Sequence, residues 1–319
     1  MVGTRWNGGL SPWGAVRDRT CEGKEHHFMQ TLLGLVASPR KFGNSEIFIK
    51  EIHRCLEGSW NLRLVRLPEL DIRPCLACYQ CLFGPMRCVQ KDDLALVLEE
   101  MVRADALVVA APTYFLGANA SLKRLLDRGL SFYAHIDALW GKPAVGVAIA
   151  GVAGLEGYTK LVVDSFLKLV LADHRGSEVV YGALPGEVLL GDEGPAAARK
   201  LARALEHGAE VPDSKAPRCP LCGGDTFRFL APADPNGPGV HRIRCMTCSS
   251  DGTLRWNGAS FALETIRGEH PLFLTREDTV AHLKWLQSMK DLFMEQRDRL
   301  KAVTRAYKDT GTWVRPENK

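Results

Sequence analysis

Five short apolar runs, each followed by a loop and a helical stretch, constrain the fold of this 319-residue chain more than any other feature. Thr31–Val36, Leu62–Leu67, Ala106–Ala110, Pro143–Ala150 and Glu178–Tyr181 read as strands. Ala106–Ala110 is apolar throughout, as expected of a strand buried on both faces. Helical patterns follow in turn: to about Leu56, from Asp92-Asp93, over Ala120–Phe132, after Gly157, and over Pro195–His207. Strands alternating with helices imply an α/β fold with a doubly wound, five-stranded parallel sheet. In such a sheet ligands bind outside the carboxyl ends of the strands. The loops after the strands are therefore where chemistry is expected.

The loop after the first strand is Ala37-Ser38-Pro39-Arg40-Lys41-Phe42-Gly43-Asn44-Ser45. Ser38, Asn44 and Ser45 offer hydrogen-bond donors at a helix N-terminus and Arg40 adds charge, a combination suited to a phosphate. Taken alone, the loop is equally a helix cap. It is not a G-x-x-x-x-G-K-[ST] loop, and no G-x-G-x-x-G follows the first strand. Gly151, Gly154 and Gly157 follow the fourth strand at the wrong spacing for a dinucleotide fingerprint.

Of ten cysteines, eight fall into two tight groups, which reads as metal binding in a reducing cytosol rather than as a disulfide framework. Cys75, Cys78 and Cys81 are separated by two residues each, and Cys88 follows after six. That spacing lets a short loop present successive thiolates to one small iron–sulfur cluster. Zinc sites more often combine two separate CxxC knuckles. The alternative is a loop of reduced thiols without metal.

Taken together these motifs resemble the flavodoxin-like FMN reductases. Ser38-Pro39-Arg40-Lys41-Phe42-Gly43-Asn44-Ser45 is similar to their phosphate loop. The cysteine run followed by Lys91-Asp92-Asp93 also fits, as do Pro112-Thr113-Tyr114-Phe115, Ser121-Leu122-Lys123-Arg124 and Asp127-Arg128. The nearest branch is the iron–sulfur flavoproteins, and the resemblance covers about residues 29–207. One departure is Ala37, where the family usually has Gly. The resemblance implies FMN, with Ser38, Arg40, Asn44 and Ser45 on its phosphate. Pro112, Thr113, Tyr114 and Phe115 would lie along the isoalloxazine, with Gly151 and Gly154 letting backbone approach its other edge. It also implies a [4Fe-4S] cluster on Cys75, Cys78, Cys81 and Cys88, a ferredoxin or NAD(P)H as electron donor, a small-molecule acceptor, and a homodimer or homotetramer. Tyr133 and His135 are candidates for closing a neighbouring subunit's flavin site.

Composition shifts after Pro212–Pro217. Cys219-Pro220-Leu221-Cys222 and Cys245-Met246-Thr247-Cys248 form two knuckles of a four-cysteine ribbon, with hairpin strands at Thr226–Leu230 and His241–Arg244 and a loop over Ala231–Gly239. Zinc is the expected metal, with a rubredoxin-like iron as the alternative. Arg276–Lys308 reads as an amphipathic helix with Leu283, Leu286, Met289, Phe293, Leu300 and Val303 on one face. It either packs on its own domain or makes an intersubunit contact. The expected organisation is an N-terminal arm (1–28), a flavodoxin-like domain (29–210), a ribbon (217–263) and a C-terminal helix (275–308).

The net charge of +4 is small and dispersed, so neither nucleic acid nor a membrane surface is expected as a partner. With no apolar run of membrane-spanning length, a cytoplasmic protein is expected. The leading functional expectation is an FMN-dependent oxidoreductase passing electrons between flavin and cluster, with no dedicated acid or base. The alternatives are an FMN or quinone reductase without a cluster, and a non-enzymatic flavin-binding redox sensor.

Overall fold

Strands and helices alternate along the computed structural model, which describes residues 29–208, 216–230 and 239–314 except 257, 259, 270, 272, 309 and 313. The expected N-terminal arm, most of the linker and most of the 231–239 loop lie outside the described residues. The order is β1 (Gln30–Val36), α1 (Asn44–Arg54), β2 (Trp60–Arg66), α2 (Leu94–Arg103), β3 (Ala106–Tyr114), β4 (Gly117–Ala118) and α3 (Ala120–Asp127). It continues with α4 (Ile136–Leu139), β5 (Pro143–Ala150), α5 (Thr159–Leu169), β6 (Asp173–Tyr181) and α6 (Glu193–His207).

The parallel strands lie in the order β2-β1-β3-β5-β6, so β1 and β3 meet where the strand order reverses. The sheet has six strands rather than the expected five, because β4 folds back antiparallel on the end of β3. Phe115 and Leu116 make that turn with φ of 48° and 66°. Left-handed backbone is costly for such side chains, so β4 could not be read from residue types that disfavour a tight turn.

Alternation along each strand supplies two cores. Leu33, Leu35 and Val109 face Val97, Met101 and Phe166 from α2 and α5. Leu32, Val108 and Val147 face Phe48 and Ile52 of α1 and Leu201 and Leu205 of α6. A fully buried side chain of this kind contributes about 1.5–3 kcal/mol. The doubly wound sheet thus hides both faces and leaves its carboxyl edge to the loops.

A second sheet, in the order β10-β9-β8-β7, comprises β7 (Phe227–Phe229), β8 (Val240–Cys245), β9 (Asp251–Trp256) and β10 (Phe261–Ile266). It is antiparallel throughout and larger than the expected hairpin. Two helices complete the chain, α7 (Arg276–Glu295) and α8 (Arg297–Arg305), separated at Gln296. A capping box between Thr275 and Asp278 starts α7. Leu283 and Leu286 pack on the flavodoxin-like core, Arg276 pairs with Asp137, and Gln287 Nε2 donates to Leu82 O at 2.7 Å. The first half of the C-terminal helix therefore lies on its own domain. Phe293, Leu300 and Val303, further along, are exposed. No described helix is long and apolar enough to cross a membrane.

Candidate flavin and metal sites

The loop between β1 and α1, the ends of β3 and β5, and the segment after β6 enclose a cavity of about 230 Å3. Ser38, Arg40, Asn44, Ser45, Pro112, Thr113, Tyr114 and Gly151 line it, joined by Ile149, Gly182 and Ala183, which the sequence did not single out. Phe115 and Gly154 lie outside the lining. Phe115 is the fully exposed tip of the β3–β4 turn, and Gly154 occupies a turn with φ of 80°. Gly151 is not sterically required, since a Cβ there would meet Ala183 at an ordinary 3.6 Å. The close approach occurs at Gly182, where a Cβ would come within 2.9 Å of the Val188 backbone nitrogen.

Asn44 lines the cavity and its side chain is also engaged within the protein. Its Nδ2 donates to Gly182 O and its Oδ1 accepts from Gly186 N, both at 2.8 Å, so its side chain ties the first loop to the 182–187 segment. Glu187 closes that segment by accepting from the amides of Ala183 and Leu184, each at 2.7 Å. The first loop is also held from below. Arg66, at the end of β2, donates to Ser38 O (3.1 Å) and Arg40 O (2.8 Å) and pairs with buried Glu46. Burial alone would raise the Glu46 carboxyl, but hydrogen bonds from Lys50, Arg66 and the Phe42 amide hold it down at about 2. These contacts fix the loop's shape and leave Ser38, Ser45 and Arg40 on the cavity wall. A serine- and arginine-lined cradle at the start of α1 has the donor set a phosphate requires. On the opposite side, Thr113 Oγ1 donates to Thr159 Oγ1 at 2.9 Å, anchoring the end of β3 to α5.

The cysteine run occupies an excursion after β2 that returns to where it left. Asp93 N donates to Asp71 O (3.0 Å), Asp71 N to Asp93 Oδ2 (2.7 Å) and Arg73 N to Asp92 Oδ2 (3.0 Å). The acidic pair expected to favour the start of α2 thus also closes this loop at its base. Left-handed backbone at Ala77, Tyr79, Gly84 and Met86 curls the chain. As a result Cys75, Cys78, Cys81 and Cys88 all border one small cavity of about 20 Å3, with Arg128 and Ser131 on its far wall.

Arg128 is the buried electrostatic anchor of this cavity. With only 1% of its side chain exposed, it pairs with fully buried Asp92 and donates to Arg73 O (2.8 Å) and Cys88 Sγ (2.9 Å). Burial works against both charges. The pairing nevertheless holds the Asp92 carboxyl below, and the guanidinium above, their ordinary values. A cation hydrogen-bonded to a cysteine sulfur suits an anionic thiolate-bound group.

The ribbon cysteines are arranged differently. Sγ atoms of Cys219, Cys222, Cys245 and Cys248 all lie within 4.8 Å of one another, the only such set among the described residues. Cys219–Cys248 and Cys222–Cys245 are 3.8 Å and 3.6 Å apart. Thiolates about 2.3 Å from a single tetrahedral ion are separated by about 3.8 Å. The ribbon is therefore shaped for one metal ion, whereas the 75–88 cysteines form no such set. Lys160 of α5 joins ribbon to sheet, bonding Asp164 at 2.7 Å and Asp225 at 3.0 Å.

Comparison with known proteins agrees with this geometry. The family model for NADPH-dependent FMN reductase matches residues 31–177. An iron–sulfur flavoprotein of Archaeoglobus fulgidus is 31% identical over 187 residues, covering 57% of this chain and 79% of the relative. Another, from Methanocaldococcus jannaschii, is 29% identical over 187 residues, covering 54% and 94%. A solved flavone reductase superposes with a TM-score of 0.66 at 19% identity, over 90% of this chain and 100% of its own. That coverage extends the shared fold through the ribbon. With a flavodoxin-like sheet, a serine- and arginine-lined cavity at its carboxyl edge and these relatives, the chain belongs to the iron–sulfur flavoproteins, FMN-dependent oxidoreductases.

Proposed function

We propose that the chain holds FMN in the 230 Å3 cavity and a [4Fe-4S] cluster on Cys75, Cys78, Cys81 and Cys88, with NAD(P)H or a ferredoxin as electron donor and a small molecule as acceptor. The observation that carries this reading is the convergence of all four cysteines on one cavity braced by the buried Arg128–Asp92 pair. Bound flavin supplies two-electron uptake with one-electron release, and a cluster supplies one-electron storage. The protein's own part is positioning. Ser38, Ser45 and the α1 N-terminus receive the phosphate, Arg40 balances its charge, and Pro112, Thr113 and Tyr114 line the space for the ring. Arg128 offsets the negative charge of the thiolate group. No acid or base is assigned. In the ribbon, zinc is the proposed ion, with a structural role.

A second copy of this chain is the proposed cover for the flavin rim. Phe42, Tyr114, Phe115, Leu116, Leu155 and Tyr158, on the loops after β1, β3 and β5, are all exposed, an apolar set that a second copy would cover. Tyr133 does not serve this purpose, because it is buried against Phe273 and His282.

Oxygen-free purification followed by flavin, iron, acid-labile sulfide and zinc assays tests the cofactors. The expected result is one FMN, about four cluster irons with matching sulfide, and one zinc per chain. Cys81→Ser should remove the sulfide and leave FMN bound. FMN without sulfide in the anaerobic wild type would instead make this an FMN reductase with structural thiols. Light scattering should report a dimer or tetramer.

A further inference from the structure

A third cavity, of about 480 Å3, lies between α3, the turns after it, the end of α5 and the start of α7. It shares no lining residue with the flavin cavity, but Asp127 and Leu130 border both it and the cysteine cavity. Its volume is in the range of small-molecule sites. Leucines form much of the wall, and Tyr133, Phe273 and His282 cluster with ring centroids 5.8–6.4 Å apart. Its two oppositely charged residues, Lys123 and Asp127, pair with each other. Tyr133 is only 6% exposed, and its hydroxyl makes no hydrogen bond among the described residues. Burial pushes the phenol pKa up, so the hydroxyl stays a neutral donor.

We propose that this cavity is a second ligand site, which takes a neutral, flat aromatic carbonyl compound of the quinone type as an electron acceptor beside the cysteine cavity. Apolar walls reward burial of an aromatic body, and the paired charges leave no net charge to attract an ion. The Tyr133 hydroxyl has no protein partner and reaches the cavity, where it can donate to an acceptor atom such as a carbonyl oxygen. Reduction adds two electrons and two protons to give the hydroquinone. The electrons come from the NAD(P)H or ferredoxin donor and the protons from solvent. The acceptor role rests on the cluster reading; the binding does not.

Calorimetry on the FMN-loaded full chain tests binding with 1-tetralone, an aromatic ketone not reduced under these conditions. Binding is expected, weakened about five-fold in Tyr133→Phe and lost in Leu169→Trp, which fills the cavity from the end of α5. FMN content and melting temperature should match wild type. Cys81→Ser should bind as wild type does. In stopped flow, 1,4-naphthoquinone should reoxidise the reduced cluster at least ten-fold more slowly in Leu169→Trp. No binding to wild type, or equal binding to Leu169→Trp, overturns the site. Binding that follows the expected pattern with an unchanged reoxidation rate overturns the acceptor role. Absent sulfide with intact binding defeats the cluster reading and the acceptor role while the ligand site stands.

Discussion

At the scale of residues, Ser38, Arg40 and Ser45 line the 230 Å3 cavity, while Arg66 and Glu46 brace the loop that carries them. Ser38, Arg40 and Ser45 lie within eight residues and carry their chemistry in their spacing, so they could be picked out without coordinates. Arg66 and Glu46 could not, because their partnership spans 20 positions and depends on β2 ending beneath the first loop. Glu46 makes a specific pH prediction. Its folded pKa of about 2 lies below the ordinary 4.5, so its stabilising effect is fully present above about pH 4.5 and is lost as pH falls toward 2. FMN release, followed by the recovery of free-flavin fluorescence, should therefore contain an acid step in that window. Glu46→Gln should lack that step and bind FMN about ten-fold more weakly at neutral pH, the scale expected for losing one charged hydrogen bond. An unchanged acid profile in the variant would show that the loop does not depend on this carboxylate.

At the scale of elements, the alternating pattern located the five parallel strands, since a strand buried on both faces must be apolar along its length. β4 escaped notice because two residues in a turn carry no periodicity. The 71–93 excursion was legible in its cysteines and in Asp92-Asp93, but not in how it closes. Asp92 and Arg128 were both visible as family-like residues, but their bond joins segments 36 positions apart, which no local pattern reports. That pair tests whether the excursion is held from its base. Arg128→Met leaves Asp92 charged and buried without its partner, a change that typically costs about 3–5 kcal/mol. Arg128→Met should show a markedly lower melting temperature and should lose cluster iron while retaining FMN. Arg128→Met combined with Asp92→Leu should recover much of the stability, because no uncompensated charge remains, but not the cluster. Equal stability of the single and double variants would mean that the bonds from Asp92 to the Arg73 and Leu94 amides, not the ion pair, close the loop.

At the scale of the whole molecule, two units depend on different sources of stability. The flavodoxin-like sheet buries apolar side chains on both faces and needs no metal to close its cores. The ribbon's buried cluster consists of Cys219, Cys245 and Cys248, with Cys222, Phe227 and Leu274 packed around it. So few apolar groups supply little hydrophobic stabilisation, and an ion bound by the four thiolates would provide most of the folding free energy there. The two knuckles made the four-cysteine set readable in the sequence. The docking of ribbon to sheet through Lys160 and Asp225 was not, because it joins positions 65 apart. Removing the ribbon ion with a thiol-specific mercurial and a chelator would also threaten the other cysteines, so Cys245→Ser is the cleaner test. In that variant zinc should be absent, and trypsin should cut rapidly within residues 218–255 while the 29–208 unit survives with FMN bound. Calorimetry should show loss of the ribbon transition and a modest fall in the sheet transition, since Lys160 retains Asp164 when Asp225 moves away. If FMN were lost together with zinc, the ribbon would be supporting the flavin site through α5, whose first residue, Thr159, accepts the hydrogen bond from Thr113 at the cavity wall.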